Sequence, residues 1–381
     1  MEPKLQKGYQ MEELIRRYFL RSGHFAVRGI PFVYRGFEIT DIDVWAYERP
    51  SPMARHRVVV DSKNRSTPKA IERIFWAKGL QGVLKVEQAI VATTDKRREV
   101  SDFGREHGIV ILDGNFLDRL EKTIEDFDQR LTEEQFIALL ASYRPIKEGG
   151  DWKSRVKSAK QPLISDFGYN AINLWIGEAN FFAGQMFLVP THKQVACRVF
   201  YLMLSFVVIG TDFVLRDLLF SDSKIRFEMF NEGLRLGSPG DANTSKIMDL
   251  AFGLIEHYAP ENRAVALKVR GRIKDDLDSI PTRMLAEYFC KPHVAQELFG
   301  IAKEFEAAAY NTSFVPPHRL SVGCKAILGL FADFWNIDRT KFLSEQFSAA
   351  SPVSESAPSA PPESKTGPST AEQPELPGLE N

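Results

Sequence analysis

Asp41-Ile-Asp-Val-Trp-Ala-Tyr47 and, after a short polar break, Val58-Val-Val-Asp-Ser-Lys63 are two β-like runs with acidic side chains and a lysine among their apolar residues. A carboxylate placed inside a strand is costly to desolvate unless a cation or hydrogen bonds compensate it. The simplest compensation is a bound metal ion. Side chains alternate along a strand, so Asp41 and Asp43 share one face of the first run, and Asp61 and Lys63 share one face of the second. Across adjacent strands they can form a compact acidic and basic cluster.

The neighbouring sequence supplies the rest of a sheet. Residues 25–34 and 37–47 are rich in β-formers and are separated by Arg35-Gly36, which reads as a hairpin turn. Upstream, Met11, Leu14, Ile15, Tyr18 and Phe19 follow helical spacing over residues 8–21, and Gly23 sits where such a helix would be capped. On this helix Glu12 shares a stripe with Ile15 and Phe19, so it is Glu12 rather than Glu13 that is expected to border the buried face. Downstream, Thr67-Pro68 marks a helix start. Residues 88–93 then read as a buried strand, 97–107 as a helix, 108–112 as a strand and 115–127 as a helix. Thr132-Glu-Glu-Gln135 is a capping-box start for one more helix to about residue 143.

The expected fold class is therefore α/β, a mixed sheet flanked by helices in an αβββαβ order over residues 1–143. Residues 144–161 are rich in Lys, Gly and Ser and read as a linker. Residues 162–347 read as a mostly α-helical second domain, with helical runs over 193–220, 244–258, 282–289, 294–310 and 321–334 and one strand signal over 263–269. The final segment, 348–381, is dominated by Pro, Ser, Ala and Glu, a composition expected of a disordered tail.

An acid on the first helix, an aspartate in the second strand and Asp-x-Lys in the third resemble the PD-(D/E)xK nuclease superfamily, the restriction-endonuclease-like fold. Here these are Glu12, Asp43 and Asp61-Ser-Lys63. Gly8-Tyr-Gln-Met-Glu12 resembles the opening of the Mrr type, and Val58-Val-Val-Asp-Ser-Lys-Asn-Arg65 its third strand; Holliday-junction resolvases form a similar branch. The resemblance covers about residues 6–120. It departs from the commoner pattern in having Asp61 in place of Glu and no proline before Asp43.

That resemblance implies Asp43 and Asp61 as ligands of Mg²⁺, with Mn²⁺ a substitute, and the Ser62 carbonyl as a further ligand. Lys63 would position or help deprotonate the attacking water, and Glu12 would bind a second ion or orient water. Asp41, on the same strand face as Asp43, is the competing ligand. Phosphodiester hydrolysis needs these groups: a hard cation held by oxygens polarises the phosphate and acidifies water, and a positive group stabilises the developing charge. Asn64 and Arg65 follow the strand and are expected to contact DNA, as are Lys78, Gln81 and Arg73 on or near the next helix. Lys96-Arg-Arg98 and Lys153, Arg155, Lys157 and Lys160 are further candidates for the DNA backbone.

The 381-residue chain is 44% hydrophobic and 26% charged, an ordinary globular composition. Its net charge of −1 conceals a basic start, with 20 Lys and Arg against 13 Asp and Glu over residues 1–105. Three widely spaced cysteines and the lack of an apolar leader favour a cytoplasmic location. The most membrane-like run, the 13 uncharged residues 199–211, is shorter than the about 20 residues of a membrane span and reads as a buried helix, so no membrane is expected. Gly240-Asp-Ala-Asn-Thr-Ser-Lys246 lacks the Gly-Lys-Ser/Thr ending of a P-loop, and no HExxH or GxSxG spacing occurs. The expected function is a Mg²⁺-dependent DNA endonuclease in restriction, defence or repair. The alternative is a catalytically silent module that binds nucleic acid or protein. A homodimer, and a protein partner for the helical domain or tail, are further expectations.

Overall fold

Strand β1 (Phe25–Tyr34) turns at Arg35-Gly36 into β2 (Phe37–Glu48). Both turn residues have positive φ, 49° and 85°, the two-residue hairpin geometry whose twist matches antiparallel strands. β2 pairs antiparallel with β3 (His56–Lys63). The sheet then becomes parallel, β3 lying beside β4 (Gln88–Thr93) and β4 beside β5 (Val110–Leu112). Parallel neighbours need crossovers, and α2 (Ala70–Leu84) and α3 (Arg98–Glu106) provide them. The result is a five-stranded mixed sheet in the order β1-β2-β3-β4-β5. This computed structural model describes residues 7–63, 69–123, 129–141, 150–188, 190–238, 244–258 and 263–343.

Helix α1 (Lys7–Arg21) lies on one face of the sheet. Its Met11, Ile15 and Phe19 share a core with Ala26, Val44, Ala46, Val58 and Val60. Gly23, at φ 90°, ends the helix: its N–H donates to Leu20 O and that of His24 to Phe19 O, which satisfies carbonyls the helix leaves open. α4 (Gly114–Thr123) adds Leu117 to the same core. Its first residue leaves no room for a side chain, since a Cβ on Gly114 would lie 2.5 Å from Thr94 O. Gly114→Ala is therefore expected to destabilise the protein by about 1–3 kcal/mol, read by urea denaturation.

On the other face Trp45, Tyr47, Val59 and Val91 meet Ile74, Ala77 and Leu80 of α2 and a large helical remainder. After the sheet, α5 (Glu133–Ala141), α6 (Trp152–Lys160), α7 (Pro162–Ser165), α8 (Tyr169–Leu188) and α9 (Lys193–Leu215) follow one another. α10 (Ser223–Leu236), α11 (Thr244–Tyr258), α12 (Arg263–Ser279), α13 (Thr282–Phe289), α14 (Pro292–Tyr310), α15 (Val322–Phe334) and α16 (Arg339–Leu343) complete the described chain. α9 is the hub, packing on α8 and α14. Residues 193–218 are long and apolar enough to cross a membrane by length and composition, and 94% of their apolar window is buried within the chain.

Three expectations about elements and their grouping need correction. Residues 152–160 form a helix where a linker over 144–161 is expected, because Trp152, Val156 and Ala159 bury one face beneath a polar surface. Sheet and helices share one core, in which the Trp45 ring meets Phe167 edge-on at 5.4 Å, and the described residues belong to one compact unit. Residues 263–269, read as a strand, belong to α12: their alternating Val265, Leu267 and Val269 are exposed, while Ala266 makes the buried contact. The Thr67-Pro68 helix start and the 348–381 tail lie outside the described residues.

α1 is buried on a second side by ions. Glu13, 4% exposed, accepts from Arg16 and Arg28, each at 2.8 Å. Arg16 also reaches Glu133, which binds Lys160 at 2.5 Å and the Tyr310 hydroxyl at 2.7 Å. The network thus joins α1 and β1 to α5, α6 and α14. It reverses the expected order of the two acids: Glu13 is buried and Glu12 is partly exposed.

Candidate functional site

The antiparallel β2–β3 register runs to Val44 opposite Val60. One step further along the same diagonal brings Asp43 opposite Asp61, where the pairing ends and the strands part. Asp43 Oδ2 accepts the Ser62 N–H at 2.6 Å. Asp41, Asp43 and Asp61 line one cleft floored by Val59, Val60 and Ile90. Of the two acids on this strand face, Asp41 is exposed, whereas Asp43 is largely covered.

Burial raises the Asp43 pKa despite opposing help from the Ser62 N–H and hydroxyl and from the Lys63 and Arg73 charges. An ionised Asp43 is thus under-compensated, and oxygen-seeking cations suit such a carboxylate. Lys63 follows Asp61 on the same strand face. Asp61 is held by Arg73 of α2, whose Nε donates to Oδ2 at 2.6 Å and whose Nη2 pairs with Oδ1. A guanidinium therefore sits on the second carboxylate.

Glu12 is connected but not converged. It lies near enough to Asp43 for their like charges to interact, and burial followed by Arg28 dominates its environment, with a net upward shift in pKa. Its carboxylate is bound by Arg28 at 2.8 Å. Among the described residues no three acidic, imidazole or thiolate groups come together as a ready metal-ligand set. The donor chemistry fits a divalent ion at Asp43 and Asp61, with Arg73 and Arg28 to be displaced for fuller coordination. No family model, curated protein or solved structure matches the chain.

The remaining candidates separate clearly. Asn64 and Arg65 lie outside the described residues. Gln81 is engaged in the fold, donating to Glu87 O at 3.0 Å and accepting from Lys78 at 3.2 Å. Lys78 is exposed on α2. Lys160 cannot track a DNA backbone because it is 2% exposed and bound to Glu133. Lys157 pairs with Glu38 and Arg155 with Glu178, while Lys96, Arg97 and Arg98 pair with Asp118, Asp95 and Asp102. Sequence reasoning missed Arg28, although an arginine inside the apolar run Phe25-Ala-Val-Arg-Gly-Ile30 signals a buried acid partner.

Arg73 sets a testable balance. Arg73→Ala frees Asp61 and removes a positive charge near Asp43, so Mg²⁺ affinity measured by calorimetry should tighten by about tenfold. Unchanged affinity would show that the arginine does not compete for the carboxylate.

Proposed function

We propose that the chain is a Mg²⁺-dependent endonuclease acting on DNA, built on the αβββαβ arrangement of the PD-(D/E)xK superfamily. The observation that carries this reading is the placement of Asp43 beside Asp61 where β2 and β3 part, with Lys63 on the same strand face. Helix α1 before a three-stranded antiparallel meander, followed by a parallel α2–β4 crossover, agrees with that superfamily's order.

Asp43 and Asp61 would hold the ion, with the Ser62 carbonyl and Glu12 as further oxygens. A bound Mg²⁺ supplies Lewis-acid polarisation of the phosphate and a more acidic water. Lys63 stabilises the negative charge that grows on the phosphate and hydrogen-bonds the attacking water. Arg73, once it leaves Asp61, becomes a cation for a substrate phosphate. The test is conversion of supercoiled plasmid to nicked or linear DNA with Mg²⁺ or Mn²⁺ and its suppression by EDTA. Absence of cleavage with both ions would defeat the proposal.

The second reading is a catalytically silent module that binds nucleic acid or a protein. A specific observation favours it: both carboxylates that could join Asp43, Glu12 and Asp61, are occupied by arginines. It predicts no Mg²⁺ binding in calorimetry with nucleic-acid or partner binding retained.

A further inference from the structure

Helix α2 carries an outer surface that its packing does not explain. Phe75 and Trp76 are 59% and 39% exposed, although the helix buries Ile74, Ala77 and Leu80 on its inner side. Gly79 stands one turn on from both rings, four residues after Phe75 and three after Trp76, which places it between them on the helix surface. A Cβ at Gly79 would meet nothing within 4 Å. Glycine weakens a helix interior, and here no neighbour requires it. The rings therefore flank an open floor.

Cations border this floor. On one side the Arg73 guanidinium lies 5.8 Å from the Trp76 ring while binding Asp61, so Trp76 stands one side chain away from the candidate cleavage site. On the other side lies exposed Lys78. Phe75 is braced edge-on by Phe103 at 5.7 Å and by His107 at 6.3 Å, which fixes the ring without covering it. The order around the helix is cation, ring, glycine, ring, cation. Aromatic faces receive unpaired bases while flanking cations receive their phosphates, the combination by which single strands are bound without sequence readout.

We propose that the outer face of α2 binds an unpaired base of a single-stranded nucleic acid, seated over Gly79 between Trp76 and Phe75. The substrate class of the neighbouring site is then a strand with unstacked nucleotides, such as a branch, flap or frayed end, rather than uninterrupted duplex. This inference rests on the nuclease reading of Asp43, Asp61 and Lys63.

The test uses the full chain in EDTA, so that binding is read without cleavage. Of the five tryptophans, Trp45, Trp152 and Trp175 are buried and Trp335 is partly buried, leaving Trp76 as the exposed reporter. Oligodeoxyuridylate or oligouridylate is expected to quench its fluorescence, the stronger arm identifying the preferred sugar, and the matching duplex to leave it unchanged. Trp76→Ala should weaken single-strand binding, followed by anisotropy of a labelled oligonucleotide, by about tenfold. Gly79→Leu fills the floor and favours the helix, so it should weaken binding similarly while the melting temperature holds or rises. Unchanged oligonucleotide affinity in Gly79→Leu overturns the proposal, as does loss of a dimer in that variant with affinity intact, which would make the face a contact between copies. Single-strand binding that depends on Trp76 in a protein that never cleaves would overturn the nuclease reading alone.

Discussion

Asp61→Ala and Lys63→Ala are each expected to lower Mg²⁺-dependent plasmid cleavage by about 10²- to 10³-fold, with little change in unfolding. The magnitude follows from losing preorganised charge at the reacting phosphate, where one such group commonly contributes two to three orders of magnitude. The folding effect is small because both residues stand at the end of β3, outside the two cores. Removing Asp61 also leaves Arg73, but that guanidinium is partly exposed and can turn to water. The two variants should differ in one respect. Asp61→Ala should lose Mg²⁺ binding in calorimetry, whereas Lys63→Ala should retain it and lose only turnover. Full activity in either variant would remove that residue from the mechanism.

Glu13→Ala is expected to produce the largest loss of stability, about 3–5 kcal/mol in urea denaturation, because it removes the buried carboxylate that two buried guanidinium groups, Arg16 and Arg28, share. Burial alone would push the Glu13 carboxyl up, but the charges of Arg16 and Arg28 outweigh it and hold the pKa down to about 2. A carboxylate depressed in the folded state contributes stability that is complete above its unfolded pKa and disappears as pH falls through the folded one. The wild-type protein should therefore lose about 3 kcal/mol from this group between about pH 5 and about pH 2. Glu13→Gln should flatten that part of the profile. An unaltered acid limb in Glu13→Gln would show that the pair is not coupled to folding. Arg28 also binds Glu12, so the variant links the stability of the network to one edge of the candidate site.

Local patterns made much of the sheet legible. The strand at Gln88–Thr93 is a continuous apolar run, and its bounds agree with the reading from sequence. Arg35-Gly36 turns the hairpin as its residue types require. Thr132 and Gln135 form the reciprocal capping box, at 2.8 and 3.2 Å. Periodicity failed where polar residues masked a buried stripe, as in Trp152–Lys160, or where alternation occurred by chance on an exposed helix, as at Val265, Leu267 and Val269. It could not rank Glu12 and Glu13 either, since α1 is buried on two sides and the second is lined by charges from 100 or more residues away.

The site divides in the same way. Asp43, Asp61 and Lys63 were readable because strand alternation fixes their faces and proximity in sequence limits their distance. Arg28 and Arg73 were not readable in role, since which carboxylate each arginine meets depends on how helices dock on the sheet. Those two arginines now define the question the sequence could not pose, whether Asp61 and Glu12 are held closed or are available to a cation.

The central claim, that Asp43 and Asp61 form a divalent-cation site for phosphodiester hydrolysis, is most directly tested by anomalous diffraction from crystals soaked in Mn²⁺. The account predicts a peak in contact with both carboxylates and Arg73 turned away from Asp61. Density without such a peak, with Arg73 still bound to Asp61 at saturating Mn²⁺, would contradict it.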